Sequence, residues 1–164
     1  MYTTKLSLPA NLLYDLKMSN FEITNYDNTN RNVFIKMPHE LIASSPELTI
    51  EYARYTNSKF PLGESSLITP KDVFMYLNIL FIKGTKEQEA IISKSSYYSY
   101  KYARTILNGP FPLGEPAIAS NAWNSLYYSQ VINDRFKLGE PAIYSDLECA
   151  VDYYLFLYNL SMKK

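Results

Sequence analysis

The chain has 164 residues, 47% of them hydrophobic, which fits one domain with a substantial core. Sixteen basic and 16 acidic residues give a formal net charge of zero, which argues against a protein that tracks nucleic-acid phosphates and equally against an acidic DNA mimic. Cys149 is the single cysteine, so an intrachain disulfide is excluded; with no recognisable export or membrane-spanning segment, we expect a cytoplasmic protein that does not enter a membrane.

The first forty residues follow no clear period. Residues 8–17 are expected to form one helix, and the alternation of Phe21 and Ile23 before an Asn/Asp-rich turn fits either a β-hairpin or a degenerate repeat. We favour an irregular N-terminal cap over residues 1–42, because a helical repeat array needs a non-repeating end to shield its first apolar stripe.

From residue 43 onwards the chain is a tandem repeat. The segment FPLGESSLI at 60–68 returns as FPLGEPAIA at 111–119 and as FKLGEPAIY at 136–144. One glutamate marks each copy, at spacings of 25, 26 and 25 residues: Glu64, Glu89, Glu115 and Glu140. An aliphatic residue follows each glutamate by three positions. A constant period of this length is typical of stacked helical units.

Each unit is predicted to contain a long helix, a tight loop and a short helix. Capping residues mark the starts of the long helices: Ser44 and Ser45, Thr69, Ser96, Ser120 and Asn121, Ser145 and Asp146. Two pairs of residues are predicted to supply left-handed helix ends: Asn108 with Gly109, and Lys83 with Gly84. We therefore predict an all-α fold, a short α-solenoid of about four 25-residue helix–loop–short-helix repeats over residues 43–164, with a last long helix over 146–160.

One unit, YSYKYARTILNGPFPLGEPAIAS, resembles the tyrosine-rich tandem repeats of proteins from large tailed phages, which have the form Y-x-Y-A-x-x-V-L-x-G-R-F-P-x-G-E-x-x-I. The matching residues are Tyr102, Ala103, Gly109, Phe111, Pro112, Gly114, Glu115 and Ile118. The resemblance covers about residues 45–144. It implies a helical repeat, a viral origin and a place in the host-cell cytoplasm, and it implies no activity.

The repeated glutamates and glycines are interpreted as structural. Equivalent carboxylates in successive units would lie roughly 10 Å apart, too far to share one metal ion or one water. We predict that they cap helices and form ion pairs, with Arg54 and Arg104 as partners, and that the LGE glycines are turn glycines. His39, the single histidine, stands where a repeat glutamate would be; like Cys149 it is expected to be structural. No catalytic residue, metal site or cofactor is predicted, so the chain is not expected to be an enzyme.

Tyrosine is the residue type that stands out, with 16 copies. Tyr102 and Tyr127 are predicted to lie on the buried stripes of their helices. The predicted outer positions, and the predicted partner-binding residues, are Tyr97, Tyr100, Lys101 and Arg104. We expect a non-enzymatic interaction module that binds a host or defence protein. The alternative is a protein that binds single-stranded nucleic acid or a nucleotide through exposed tyrosines, although the neutral charge makes nucleic acid the weaker hypothesis.

The last predicted helix is apolar around nearly its whole circumference between Val151 and Leu160. The terminal layer of a repeat array usually presents a polar outer face. Two interpretations stay open: the helix tucks under its neighbours, or it forms a homodimer or partner interface in which Tyr154 and Tyr158 carry self-association.

Overall fold

Helices account for all the regular structure within the part of the chain that the computed structural model describes, residues 38–162. The all-α prediction is confirmed over these residues. Short and long helices alternate in chain order. The short ones are α1 (His39–Ala43), α3 (Pro61–Glu64), α5 (Lys86–Ile92), α7 (Glu115–Ile118) and α9 (Glu140–Tyr144). The long ones are α2 (Pro46–Thr56), α4 (Pro70–Leu80), α6 (Ser96–Tyr102, continued by a π-helical turn over Ala103–Leu107), α8 (Ala122–Ile132) and α10 (Leu147–Ser161).

Packing follows chain order. Each long helix packs against the next long helix, from α2 to α10, and the short helices α5, α7 and α9 pack against the long helix before them and the one after. Each layer thus buries its apolar side against its neighbours in sequence. The aliphatic residues that follow the repeat glutamates are buried, as their spacing predicted: Leu67, Ile92, Ile118 and Ile143, together with Ile42 in phase before them.

Side-chain caps begin all five long helices. The capping residues are Ser45, Thr69, Ser95, Asn121 and Asp146, and each accepts a hydrogen bond from the backbone N–H three residues later. Such a cap satisfies one of the amides that the first helical turn leaves free. The predicted starts are confirmed except at α6, where the cap is Ser95 and not Ser96.

Left-handed residues end the first four long helices. They are Asn57, Phe81, Asn108 and Asn133, with φ between 47° and 51°. Asparagine tolerates this conformation better than most side chains, which explains three of the four. The prediction for Asn108 is confirmed, but Gly109 does not share its conformation. The end predicted at Lys83 and Gly84 is wrong. Helix α4 ends at Leu80, and the left-handed residue that follows it is Phe81, two residues before Lys83.

The single 26-residue spacing among the repeat glutamates, between Glu89 and Glu115, coincides with the π-helical turn of α6. From its cap to its left-handed end, α6 contains one residue more than α2, α4 or α8. The Gly109 amide donates to the Ala103 carbonyl at 3.1 Å, which closes the widened turn. A π turn absorbs an inserted residue without shifting the loop that follows, and the repeat resumes its phase.

The predicted N-terminal cap falls mostly outside the described residues, since its positions 1–37 precede them. Its last residues form α1, which packs against α2 and α3. No helix in the described range combines the length and the apolar character needed to cross a bilayer.

Candidate functional site

Four buried tyrosines tie successive layers together. Each lies seven residues after the cap of its long helix, and each is fully buried: Tyr76, Tyr102, Tyr128 and Tyr153. The hydroxyl accepts a hydrogen bond from a backbone N–H in the preceding loop, at 2.7 Å from Phe60, 2.9 Å from Gly84, 2.8 Å from Phe111 and 3.2 Å from Phe136. It donates to the repeat glutamate of the short helix that follows this loop, at 2.9 Å to Glu64, 2.8 Å to Glu89, 2.8 Å to Glu115 and 3.1 Å to Glu140. We call this three-part contact the tyrosine clasp.

The clasps correct the prediction that Arg54 and Arg104 pair with the repeat glutamates. Arg54 pairs instead with Glu51 on its own helix, at 2.8 Å, and Arg104 donates to the Tyr100 hydroxyl. The predicted helix capping by these glutamates is wrong, because none of their side chains caps a helix. Glu89 and Glu140 do form ion pairs, with Lys83 at 3.9 Å and with Arg135, but the partner that all four glutamates share is a tyrosine hydroxyl. Only the fourth clasp among the described ones adds an arginine, with both Arg135 nitrogens Nε and Nη2 donating to Glu140.

Burial explains the protonation state of the clasps. Loss of hydration raises the pKa of Tyr76 and Tyr153 to about 12, and it also raises the pKa of Tyr102 and Tyr128. The glutamate that accepts the hydrogen bond from each hydroxyl raises the tyrosine pKa further. Hydrogen bonds from Arg135 hold the pKa of Glu140 below its usual value. The tyrosine of each clasp is therefore a neutral phenol that donates its hydrogen bond.

His39 takes the place of the glutamate in the first layer. Its Nε2 lies 3.3 Å from the Tyr52 hydroxyl, and Tyr52 stands at the same distance from its helix cap as the four clasp tyrosines. The imidazole also meets the rings of Tyr52 and Phe60 edge-on, with centroids 5.6 and 5.7 Å away. The His39 site is thus a variant of the clasp, in keeping with the structural role expected for this residue.

The LGE glycines lie in tight turns, as predicted, but close packing is what requires glycine there. Within the described chain, no glycine has a positive φ. A Cβ on Gly114 would lie 2.4 Å from the Phe111 ring and 2.7 Å from Ser99 Cβ. Gly139 faces the equivalent Phe136 and Ser125 at similarly short distances. The absent side chain lets each loop approach the long helix that precedes it.

Cys149 is buried, and that burial raises the pKa of its thiol to about 11, with nearby carboxylates acting in the same direction. A thiol in this state is a core residue and a poor nucleophile. Across residues 38–162, histidine, cysteine and carboxylate side chains form no cluster able to hold a metal ion.

Three of the four predicted partner-binding residues reach the surface of α6. Tyr97 and Arg104 are exposed, and Lys101 is half-buried with its Nζ 5.4 Å from the centroid of the Tyr97 ring. Tyr100 is only 4% exposed, so its predicted outer position is wrong. Its hydroxyl nevertheless accepts a 2.7 Å hydrogen bond from Arg104 Nη1, which ties it to the surface group.

Two aromatic residues of α8 extend this surface. The Tyr127 ring lies 5.7 Å from that of Tyr100 and 5.8 Å from that of Trp123, so the three rings form a row across α6 and α8. Tyr127 is 38% exposed, which overturns the prediction that it belongs to the buried stripe. We call the whole set the aromatic-cationic face: Tyr97, Tyr100, Lys101, Arg104, Trp123 and Tyr127.

Counting residues from each helix cap would have predicted that Trp123 and Tyr127 belong to this face. They stand two and six residues after the α8 cap, as Tyr97 and Lys101 stand after the α6 cap. The same outer positions hold Glu47 and Glu51 on α2, Lys71 and Met75 on α4, and Glu148 and Asp152 on α10. The aromatic character thus belongs to α6 and α8 and is not part of the repeat itself.

Helix α10 is buried on one side, as the first of its two interpretations predicted, and exposed on the other. Cys149 and Tyr153 are buried against α8 and α9, so one side tucks under its neighbours. The other side is open, with Tyr154 69% and Tyr158 54% exposed.

Comparison of the chain with protein-family models, with curated proteins and with solved structures finds no significant match. The geometry of the molecule is therefore what bears on its function.

Proposed function

We propose that the protein is a non-enzymatic interaction module that binds a host or defence protein through the aromatic-cationic face. The observation that carries the proposal is that this face lies outside the repeat pattern. The clasps and the buried aliphatic residues account for the stacking of the layers, and equivalent outer positions in α2 and α10 are acidic. Selection for folding alone gives no reason for aromatic residues at these positions in α6 and α8.

The composition of the face suits protein recognition. Tryptophan, tyrosine and arginine are the residues that most often contribute strongly to protein–protein binding. Neither Lys101 nor Arg104 forms an ion pair with a carboxylate of the described residues, so both cations are available to a partner. We infer that the partner presents carboxylates next to an apolar patch.

The non-enzymatic part of the proposal draws support from the clasps. The repeated carboxylates would be the natural candidates for acid–base work, and their hydroxyl partners already occupy them. A viral origin, and with it a place in the host-cell cytoplasm and a role against host defence, is proposed from the resemblance of the repeats to those of large tailed phages.

Affinity capture from bacterial lysate tests the proposal. We expect a reproducible protein partner with the unmodified chain, and at least tenfold weaker binding, about 1.4 kcal/mol, for Trp123→Ala combined with Tyr97→Ala. Tyr144→Ala removes an exposed tyrosine elsewhere and is the matched control. The proposal fails if no partner is captured, or if the face variant and the control bind the partner equally well.

A second candidate function rests on the neighbouring rings of Tyr127 and Trp123 on the same face as Lys101 and Arg104, neither of which pairs with a carboxylate of the described residues. Bases of a single strand stack on such rings. Trp123 is the only tryptophan, so its fluorescence reports directly on this face. Titration with single-stranded oligonucleotides should quench it with an affinity that falls as salt rises, if this function is the correct one. Unchanged fluorescence at low ionic strength would exclude it.

A further inference from the structure

The open side of α10 corresponds to a surface that the inner layers bury. Five residues after the cap, the inner long helices carry buried side chains: Ile50, Phe74, Tyr100 and Leu126. Eight residues after the cap they again carry buried ones: Ala53, Leu77, Ala103 and Ser129. On α10 these two positions are Val151, 53% exposed, and Tyr154, 69% exposed. The helix thus presents an inter-layer surface on which no layer of residues 38–162 packs.

Large apolar residues continue this surface along the whole helix. Their spacing of four, three, one, three and four residues places them within about 100° of the helix circumference. They are Leu147, Val151, Tyr154, Leu155, Tyr158 and Met162, and each is at least half exposed. A contiguous apolar stripe of this kind marks an interaction surface.

Charge along α10 is unevenly distributed. Asp146, Glu148 and Asp152 place three acidic residues in its first half, and the sequence has no basic residue between 146 and 161. Two lysines follow the helix in the sequence, at 163 and 164. Two copies of α10 in antiparallel orientation would set the acidic first half of each helix beside the second half of the other, which carries no acidic residue, and would oppose their helix dipoles favourably. Parallel copies would align like charges.

We propose that a second copy of this chain covers the open side of α10, with the two α10 helices packed antiparallel about a two-fold axis near Tyr154 and Leu155. A two-fold interface needs a surface that complements itself, and the apolar stripe with its charge gradient meets that condition. The Tyr158 hydroxyl of one copy then faces the carboxylates in the first half of the other α10. Tyrosine and carboxylate are the pair that every complete clasp uses within the chain.

Sedimentation of the full chain from micromolar to submillimolar concentration tests self-association. We expect a concentration-dependent dimer and at least tenfold weaker dimerisation for Tyr154→Glu. Ile68→Glu places the same charge at an exposed apolar residue in the loop before α4 and should dimerise like the unmodified chain. A chain that stays monomeric throughout, or a Tyr154→Glu variant that dimerises normally, overturns the proposal.

Cysteine cross-linking tests the orientation without depending on a destabilising charge. In an antiparallel pair centred between Tyr154 and Leu155, position 151 of one helix lies opposite position 158 of the other. The double variant Val151→Cys with Tyr158→Cys should form a covalent dimer on mild oxidation, and each single variant should not. The buried native thiol of Cys149 should not contribute, as the unmodified chain will show. Cross-linking of either single variant with itself would instead indicate a parallel pair and overturn the antiparallel arrangement.

This inference is independent of the partner proposed for the aromatic-cationic face, because the two surfaces use different residues.

Discussion

Tyr127 and Tyr128 are adjacent on α8, but one is partly exposed and the other is buried. Tyr128 is fully buried and forms a clasp with Phe111 and Glu115, whereas Tyr127 is partly exposed and extends the aromatic-cationic face. The same division separates Tyr102 from Tyr97 on α6. In this chain the role of a tyrosine depends on how many residues separate it from its helix cap. That number decides whether its ring faces a neighbouring layer or the solvent. Clasp tyrosines and face tyrosines should therefore respond differently to pH and to substitution.

Alkaline titration should have the largest effect, because it acts on all the clasps at once. Folding raises the pKa of the clasp tyrosines, to about 12 for Tyr76 and Tyr153, above the value of 10.0 expected when they are unfolded. The stability they contribute is fully present below pH 10 and is lost as the pH rises through 12. We expect cooperative loss of helical circular dichroism in this interval, together with the appearance of tyrosinate absorbance. The exposed tyrosines ionise in this interval in any case, so the contradicting result is a chain that keeps its helices after all 16 of its tyrosines have ionised.

Filling the packing glycine of the third repeat should cost about 3 kcal/mol of unfolding free energy. Gly114→Val forces atoms into the space held by the Phe111 ring and Ser99, and overpacking at this level typically costs 1–3 kcal/mol. Gly109→Ala is the control, since the nearest atom to its added Cβ is 3.8 Å away, and it should change stability by less than about 0.5 kcal/mol. Denaturant unfolding measures both. Equal effects would show that the LGE glycine is not a packing requirement.

Removal of one clasp hydroxyl should cost about 2 kcal/mol. Tyr128→Phe leaves the Phe111 amide and one Glu115 oxygen without their buried partner, and such groups carry a desolvation penalty of about 1–3 kcal/mol. Tyr127→Phe, at the neighbouring residue, should be neutral within about 0.5 kcal/mol. Chemical denaturation of the two variants compares clasp and face directly. A Tyr127→Phe variant that is the less stable of the two would reverse the assignment.

Relief of the left-handed residue at the end of α4 should stabilise the chain by about 1 kcal/mol. Phe81 has φ of 51° and is 81% exposed, so Phe81→Asn removes backbone strain and sacrifices little packing. The reverse change at the equivalent position, Asn133→Phe, should destabilise by a similar amount. Thermal unfolding of both variants measures the effect. If Phe81→Asn lowers the melting temperature, the Phe81 ring makes a contribution that its exposure does not reveal.

The period of the sequence was sufficient to predict the all-α fold, the caps of four of the five long helices and the buried aliphatic residue of each unit. These features depend on local chemistry, namely capping side chains and apolar spacing. The π-helical turn of α6 could not be placed, because a single inserted residue can be absorbed at any point between two fixed loops. The end of α4 was misplaced because phenylalanine rarely adopts the left-handed conformation that asparagine adopts in the other layers.

The candidate site was predicted in part. Tyr97, Lys101 and Arg104 were placed correctly on the outer side of α6, but Tyr100 and Tyr127 were exchanged between core and surface. The apolar stripe of a single helix does not indicate which side of that helix the next layer covers. Tyrosine occurs on both buried and exposed sides, so its identity does not decide the question. The clasps themselves escaped prediction because the partners lie 12 or 13 residues apart in the sequence and meet only when layers stack.

A double-mutant cycle between Tyr128 and Glu115 tests most directly the claim that tyrosine clasps hold the layers together. The unfolding free energies of Tyr128→Phe, Glu115→Ala and the double variant are compared with that of the unmodified chain, which isolates the energy of the pair from the other contacts of each residue. A coupling of about 1 kcal/mol or more, with the single substitutions costing more in sum than the double one, is the predicted result. Additive effects, with a coupling near zero, would contradict the claim.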